Sequence, residues 1–209
     1  MALAAQQSHS SWCSDNSPMI LSEIFASDTS VAIWQREVLE KVNQYFANTF
    51  YDAQKEVRLV LSMDSLKAGL AESMPDGDGK ADAIDDIHLV SDMLTCLFNC
   101  DTVGLRLAPL DKAMCPKFHT DNIQIRLVNT YLGDGTEWLP NELVKVKAGA
   151  EITPDRFQYL DSDVHQMKAF EVGLLKGSAW GEGDHLAAIH RSCKVNAGDK
   201  RVLLTLDPM

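Results

Sequence analysis

The stretch that decides the fold is CPKFHTDNIQIRLVNTYLGDGTEW, residues 115–138. Its middle, IQIRLVNTYL, is rich in β-forming residues and begins with alternating apolar and polar side chains, which is typical of a half-buried β-strand. A Gly-Asp-Gly turn at 133–135 ends this strand. Just before it stand His119 and Asp121, and residues i and i+2 of a strand point to the same side. The stretch therefore predicts a strand whose entrance carries a His–Asp pair on one face.

Further β-rich runs follow residue 100 on both sides of this stretch. They are VGLRLAPL, ELVKVKAG, MKAFEVGLLKG, AAIHRS and RVLLTLDP, and they are separated by Gly, Pro and Asp rather than by helical segments. Short strands at this spacing are typical of a sandwich or barrel. We therefore expect residues 101–209 to form a double-stranded β-helix, that is, a jelly-roll or cupin-like β core.

The N-terminal half has a different composition and hydrophobic pattern. Residues 1–18 are polar and Ser-rich, so we expect them to be loosely ordered. Residues 19–100 are expected to be mainly helical, with a first long helix over 28–50, in which apolar side chains recur every three or four residues, and a second over 83–100. A strand is expected at 56–63. The predicted fold class is α+β, with a helical N-terminal half packed on the β core in one compact domain.

Composition limits the classes of partner. The chain has 209 residues, a formal net charge of −11 and a pI near 4.9. Such acidity argues against nucleic-acid binding and against docking on anionic membranes, since both need a basic face. Its five cysteines are irregularly spaced, which is unlike a secreted disulfide framework. With neither a bilayer-spanning apolar run nor a signal-peptide pattern at the N-terminus, the expected location is the cytoplasm.

A third candidate metal ligand lies far along the chain. His190 follows His119 by 71 residues (190 − 119), which leaves room for the intervening strands of a β core. Two histidines and one carboxylate on one face of a metal ion are the ligand set of non-haem Fe(II) oxygenases. The simpler alternative is a solvated His–Asp pair at a strand edge. Cys115 is either a further thiolate ligand or a small buried residue, and the sequence does not decide between them.

The segment TYLGDGTEWLP resembles the part of prolyl-hydroxylase-like oxygenases that follows their metal-binding His-x-Asp strand. The resemblance implies a site that uses Fe(II) and 2-oxoglutarate to oxidise a substrate. His119, Asp121 and His190 would then be the metal ligands and catalytic residues. Tyr131 and Arg201 would bind 2-oxoglutarate, with the Arg201 guanidinium on its distal carboxylate.

A second resemblance covers more of the chain. The pieces MCPKFHTDNIQIRLVNTYLGDGTEWLP, EVGLLKG, AIHRS and RVLLTLD are similar, in order and spacing, to the uncharacterised bacterial family DUF1826, over most of residues 100–207. That family implies the fold and the site rather than a reaction. Some members look associated with zinc-limitation genes, so the alternative to an oxygenase is a non-catalytic jelly-roll protein that binds Zn(II) in metal homeostasis. The substrate would be a small molecule or a protein. The residues specify neither its identity nor the oligomeric state.

Three residues near the candidate ligands are possible substrate contacts: Trp138, Trp180 and Arg191. Packing is the more common role of tryptophan, although Trp180 stands on a glycine-flanked segment. Arg126 follows His119 by an odd step (126 − 119 = 7), so a regular strand would place it on the opposite face from the His–Asp pair. A β-bulge would reverse that parity.

Overall fold

A computed structural model describes residues 10–146, 157–181 and 187–209, and in these ranges the protein is a mixed α+β structure. Its strands, in chain order, are β1 (Trp12–Asp15), β2 (Val31–Trp34), β3 (Val57–Ser62), β4 (Thr102–Leu110), β5 (Ile125–Leu132), β6 (Glu137–Leu139), β7 (Lys145–Val146), β8 (Phe157–Gln158), β9 (His165–Gln166), β10 (Val172–Lys176), β11 (Ile189–Arg191) and β12 (Arg201–Pro208). Its α-helices are α1 (Glu40–Tyr45), α2 (Met63–Ser73) and α3 (Lys80–Phe98). A π-helical turn, Phe46–Phe50, extends α1, and short 3-10 helices span Pro18–Phe25, Asn141–Leu143 and Asp161–Asp163.

The strands form one large sheet and two small ones. The large sheet has seven strands in the order β1-β2-β10-β5-β12-β4-β3, and every neighbouring pair is antiparallel except β1 with β2. A three-stranded sheet has the order β11-β6-β9, and β7 pairs with β8. The last strand of the chain, β12, therefore lies inside the large sheet between β5 and β4.

One face of the large sheet packs against the helices. Alternate residues of β12, namely Val202, Leu204 and Leu206, are fully buried in this layer. They share a core cluster with aromatic and aliphatic side chains of the helical segments, among them Tyr45, Phe46, Phe50, Leu66, Leu70, Ile87, Val90 and Leu94. Burying each such large apolar side chain contributes about 1.5–3 kcal/mol, so this layer supplies much of the stability of the fold.

The three-stranded sheet covers part of the opposite face. Leu203 on β12, Val128 on β5 and Leu175 on β10 point to this side and share a second core cluster with Trp138 on β6. Because side chains alternate along a strand, each central strand contributes to both layers. The large sheet is thus the middle layer between the helices and the small sheet.

The N-terminal half contributes more to the sheet than the sequence predicted. β1, β2 and β3 all belong to the large sheet, and the prediction of a helix over 28–50 is wrong for its first part, because Val31–Trp34 is a strand. Three successive residues of β2 are at most 2% exposed, and β2 pairs on both sides, with β1 and β10. Tertiary pairing of this β-branched run outweighs its helix-like spacing, and α1 begins only at Glu40.

Other expected elements are present. The strand expected at 56–63 is β3, the second long helix is α3, and the β-rich part begins with β4 at Thr102. Within the segment expected to be loosely ordered, residues 12–15 form β1, whereas residues 1–9 lie outside the described residues. None of the helices in the described ranges is long and apolar enough to cross a lipid bilayer.

Candidate metal centre

The two candidate histidine ligands face each other as a cross-strand pair. The backbone N–H of His119 donates to the carbonyl oxygen of His190, and the N–H of His190 donates to the carbonyl oxygen of His119, both at 3.0 Å. Residues paired in this way have side chains on the same side of the ladder. The two imidazole rings consequently lie 4.6 Å apart between their centroids.

Asp121 reaches the same point from a loop rather than from a strand. The backbone of Asp121 is held by Ser178, whose N–H and hydroxyl both donate to the Asp121 carbonyl oxygen, at 2.8 and 3.2 Å. Gly177 permits this approach, because a Cβ there would lie only 1.9 Å from the carbonyl oxygen of Ile123. The loop after β10 thus fixes the backbone of Asp121, from which its carboxylate projects.

Hydrogen bonds orient both imidazoles for metal binding. Nδ1 of His119 lies 3.0 Å from the carbonyl oxygen of Lys117, and Nδ1 of His190 lies 3.1 Å from that of Ala188. A carbonyl only accepts, so each Nδ1 carries the proton and each Nε2 keeps a free lone pair. Both Nε2 atoms point to Asp121, at 3.5 Å from Oδ1 for His119 and 3.7 Å from Oδ2 for His190. One potential ligand atom from each residue lies within 4.8 Å of the others.

The electrostatics of the cluster favour an ionised Asp121 and a neutral His190, but they stabilise the protonated form of His119. Burial acts to raise the pKa of Asp121, but its contact with His119 and the charges of His190 and Arg126 outweigh burial and lower that pKa to about 2. Burial lowers the pKa of His190, which keeps its ring neutral, whereas contact with the Asp121 carboxylate raises the pKa of His119. A divalent cation requires an ionised carboxylate and neutral imidazoles, so it would bind in competition with a proton at His119.

Arg126 also contacts the cluster, contrary to the expectation from strand parity. Its Nη1 donates to Oδ2 of Asp121 at 2.7 Å, while Nε and Nη2 donate to the two carboxylate oxygens of Asp207, at 2.8 and 2.7 Å. The parity argument was wrong because β5 begins only at Ile125, so His119 and Asp121 do not belong to the same regular strand as Arg126. The pairing of Arg126 with Asp207, which holds the guanidinium in this position, has no local signal in the sequence, since the two residues are 81 positions apart.

Arg201 lies deep in the β structure, close in sequence to the last ligand. Its side chain is 1% exposed, its Nε donates to the carbonyl oxygen of Asp134 at 2.8 Å, and its Nη1 donates to Ser192 Oγ at 2.7 Å. Its Nη2 is buried and has no partner among the described protein atoms. The residue lines a cavity of about 390 Å³. A buried guanidinium with an unused donor is suited to a carboxylate.

Tyr131 is not brought to the cluster. It is fully buried on the helix-facing side of β5, where its ring stacks on Phe46 at 4.4 Å and its hydroxyl donates to Oδ2 of Asp86 at 2.8 Å. Arg126, which does reach Asp121, is five positions earlier, and an odd step along a strand reverses the face. The structure therefore contradicts the expectation that Tyr131 holds a co-substrate beside the metal.

The three candidate substrate contacts lie in different places. Trp138 is the register partner of His190, and its indole is buried against Trp12 and His165. Trp180 packs on aromatic residues of the helical side, and Arg191 points away from His190, with its guanidinium 4.2 Å from the ring centroid of Phe118. Of the three, only Trp138 shares the face of the small sheet from which His190 projects.

Cys115 stands apart from the three candidate ligands. It is exposed, and the cluster of potential metal-binding groups within the described part of the chain contains His119, Asp121 and His190 without it. Its backbone carbonyl accepts a hydrogen bond from the N–H of Ser192 at 2.9 Å. In this arrangement, Cys115 supports the neighbouring strand rather than completing the ligand set.

Known structures place this architecture among dioxygenase folds. The dioxygenase for auxin oxidation 1 from Arabidopsis thaliana, solved with 2-oxoglutarate, is similar with a TM-score of 0.54 and 12% identity, covering 95% of this chain and 92% of its own. The corresponding rice enzyme has a TM-score of 0.48 and 11% identity, covering 86% and 73%, and a Phytophthora capsici prolyl 4-hydroxylase has 0.46 and 16%, covering 92% and 62%. The first similarity shows a dioxygenase-like fold, and the His–Asp–His cluster in it is a candidate metal centre.

The family assignment rests on the sequence itself. The chain belongs to the family described as "Protein of unknown function (DUF1826)", whose model matches residues 15–207. The resemblance seen in the sequence motifs is thereby confirmed. No curated protein matches the sequence.

Proposed function

We propose that this protein is a non-haem Fe(II) oxygenase that uses 2-oxoglutarate as co-substrate. The observation that carries the proposal is the convergence of the two Nε2 atoms and the Asp121 carboxylate on one point, with His119 and His190 fixed in the required tautomer. Two histidines and one carboxylate leave several positions of an octahedral ion open for other ligands. When bound, Fe(II) and 2-oxoglutarate supply the oxidation of a substrate C–H bond by dioxygen.

The β core of this proposal is a double-stranded β-helix. The large and small sheets face each other across the second core cluster, and His119 and His190 bridge two segments at the edge of the small sheet. Such an arrangement supports the ligands on rigid backbone, and the apolar residues behind them exclude water. The similarity to a 2-oxoglutarate-bound dioxygenase structure is compatible with this interpretation.

In this proposal Arg201 binds the distal carboxylate of 2-oxoglutarate. Its Nη2 needs a partner, because an unpaired buried donor is costly, and an anion would satisfy it. Ser192 holds the guanidinium in place and lies two residues after the ligand His190, which ties the anion site to the metal site. Trp138 contributes the indole wall next to His190, and its buried Nε1 also has no partner among the described protein atoms.

The alternative, a non-catalytic zinc protein, fits the ligand set less well. Structural zinc sites in proteins are usually closed by four protein ligands, whereas three protein ligands mark centres that bind a further molecule. Among the described residues the cluster offers three ligands. Preference for Zn(II) over Fe(II), without consumption of 2-oxoglutarate, would nevertheless support the zinc-linked role.

The proposal is tested by metal content and turnover of tag-free protein. The wild type should bind about one Fe(II) per chain under anaerobic conditions and convert 2-oxoglutarate to succinate only when dioxygen is admitted. His119→Ala and Asp121→Ala should each lose most of the metal while retaining cooperative unfolding, because the sheets are held by two apolar cores independent of the ion. His165→Ala, a histidine of the same small sheet outside the cluster, is the matched control and should keep its metal.

A further inference from the structure

A cavity of about 360 Å³ opens on the large sheet next to the metal centre. It is lined by residues of β3, β4, β5 and β12: Arg58, Leu59, Val60, Gly104, Leu105, Arg106, Arg126, Thr205 and Asp207. Arg126 links the cavity to the candidate metal centre, because it lines the cavity and also donates to the Asp121 carboxylate. The cavity lies on the same face of the sheet as the second core cluster, since Arg106 and Ala108 are two positions apart on β4.

This part of the sheet face is open to solvent. The side chain of Arg58 is 68% exposed, and Val60, two residues further along the edge strand β3, is 63% exposed. Residues of the same strand that face the helices, such as Val57, are buried. The small sheet thus covers one end of the large sheet and leaves the other end, next to Asp121, accessible to a molecule from solution.

Carboxylates hold two of the three guanidiniums in fixed positions. Glu56 accepts from Nε and Nη2 of Arg106, at 3.0 and 2.9 Å, and also contacts Arg58, while Asp207 holds Arg126. Nη1 of Arg106 donates to Sδ of Met114 at 2.7 Å, and Nη1 of Arg126 donates to Asp121. Each Nη atom carries two N–H groups, so both held guanidiniums keep two unused donors. Arginines held in this way bind an anion with little loss of conformational entropy.

The charge at the cavity depends on the metal centre beside it. The three arginines are balanced by three carboxylates, namely Asp207 in the lining and the paired Glu56 and Asp121. A divalent cation at the neighbouring cluster would add two positive charges to this balanced set. With the cation bound, the electrostatic potential favours an anion here, and a volume near the lower end of ordinary ligand pockets favours a small one.

We propose that this cavity is the substrate site and that the substrate is a small organic acid whose carboxylate is bound by Arg58 and Arg106. The inference rests on the proposed oxygenase function and adds the chemical class of the substrate. Arg58 and Arg106 lie on β3 and β4, whereas Arg126, on β5, is paired with Asp121 and Asp207. A carboxylate held by Arg58 and Arg106 therefore leaves the rest of the acid directed towards Asp121. The acid is distinct from 2-oxoglutarate, which is assigned to Arg201 on a different cavity.

The test uses 4-fluorophenylacetate as the acidic probe and 4-fluorophenethylamine as the cationic comparison, both followed by fluorine NMR. The acid should bind the wild type more tightly than the amine, and saturating 2-oxoglutarate should not displace it. Loading the protein with Mn(II), a paramagnetic substitute for Fe(II), should broaden the bound acid's fluorine signal. Asp121→Ala, treated with the same Mn(II), should bind the acid without this broadening.

Arginine variants locate the carboxylate. Arg58→Gln should weaken binding of the acid about two- to fivefold, because this side chain is exposed. Arg106→Gln should weaken it about tenfold or more. Lys67→Gln removes a positive charge paired with Asp85 on the helical side and should leave the affinity unchanged. Arg58→Gln changes an exposed side chain, so it remains informative even if Arg106→Gln fails to fold.

Several results would overturn the inference: equal affinity for the acid and the amine, displacement by 2-oxoglutarate, or unchanged affinity in both arginine variants. Binding to Mn(II)-loaded wild type without broadening would place the acid away from the centre and overturn it as well. Failure of the wild type to take up Mn(II) at all would instead contradict the proposed metal centre. In that case, weaker binding of the acid by the Arg58 and Arg106 variants would still show whether the acid occupies this cavity.

Discussion

Arg126 and Asp121 are joined by a hydrogen bond of 2.7 Å between Nη1 and Oδ2. Asp207, on the adjacent inner strand β12, fixes the same guanidinium through two further hydrogen bonds. Because Oδ2 already accepts a hydrogen bond from Arg126, Oδ1 has the greater free capacity for a metal ion. The pair therefore favours a single metal–oxygen bond from Asp121 and keeps further coordination positions open.

We expect Arg126→Gln to weaken metal binding about 10- to 100-fold, because outer groups that orient a ligand typically contribute this much. Titration of Mn(II), followed by the electron paramagnetic resonance signal of the free ion, measures the affinity directly. Arg106→Gln, an arginine of the same face without contact to Asp121, serves as the control and should bind Mn(II) like the wild type. Identical affinities in all three proteins would show that Arg126 does not orient the ligand.

Replacement of Arg201 should separate co-substrate binding from metal binding. Arg201→Gln removes the buried charge and should weaken 2-oxoglutarate binding by about 2–5 kcal/mol, while Mn(II) affinity stays within about threefold of the wild type. Calorimetric titration of 2-oxoglutarate into anaerobic Mn(II)-loaded protein gives the difference. Lys200→Gln, which changes a neighbouring residue of the same cavity, should have a much smaller effect. Wild-type affinity in Arg201→Gln would contradict the assignment, and thermal unfolding of the variant checks that the fold is intact.

Tyr131 should matter for stability and not for co-substrate binding. Burial raises the pKa of Tyr131, so its phenol stays protonated and donates to Asp86, which also forms a buried bidentate ion pair with Arg36. Tyr131→Phe should lower the free energy of unfolding by about 1–3 kcal/mol, and Asp86→Ala by about 3–5 kcal/mol because it leaves Arg36 buried and unpaired. Urea unfolding measures both changes. A Tyr131→Phe variant of native stability that binds 2-oxoglutarate poorly would restore the role expected from the sequence.

The contribution of Glu56 to stability should depend on pH. Its hydrogen bonds with Arg106, together with Arg58, lower the pKa of Glu56 from 4.5 to about 2 in spite of partial burial. Because the folded-state pKa is lower than the unfolded one, the stabilisation is complete above about pH 4.5 and is lost as the pH falls towards 2. The stability difference between wild type and Glu56→Gln should therefore shrink between pH 6 and pH 3.5 in urea unfolding. A difference that is constant over this range would show that the contact is not ionic.

Sequence reasoning selected the three residues that the structure brings together, His119, Asp121 and His190, and the strands that follow residue 100, because the His-x-Asp spacing and β-rich runs are readable in the sequence. It misplaced the side chains whose position depends on where a strand begins. Because β5 begins at Ile125 and not at His119, Arg126 is able to reach Asp121. Tyr131 faces the helices because it stands an odd number of positions further along that strand. Val31–Trp34 was likewise misassigned, because its apolar spacing fits a helix, and only pairing with β1 and β10 shows it to be a strand.

The place of β12 in the large sheet has a consequence for biosynthesis. Its neighbours, β4 and β5, are complete some 70 residues earlier in the chain (201 − 132 = 69 from the end of β5), yet they are not paired with each other and are joined through β12. A nascent chain that has emerged from the ribosome only as far as β11 therefore carries two sheet halves with exposed inner edges. Such edges are prone to non-native pairing, and β12 removes both of them at once when it enters the sheet.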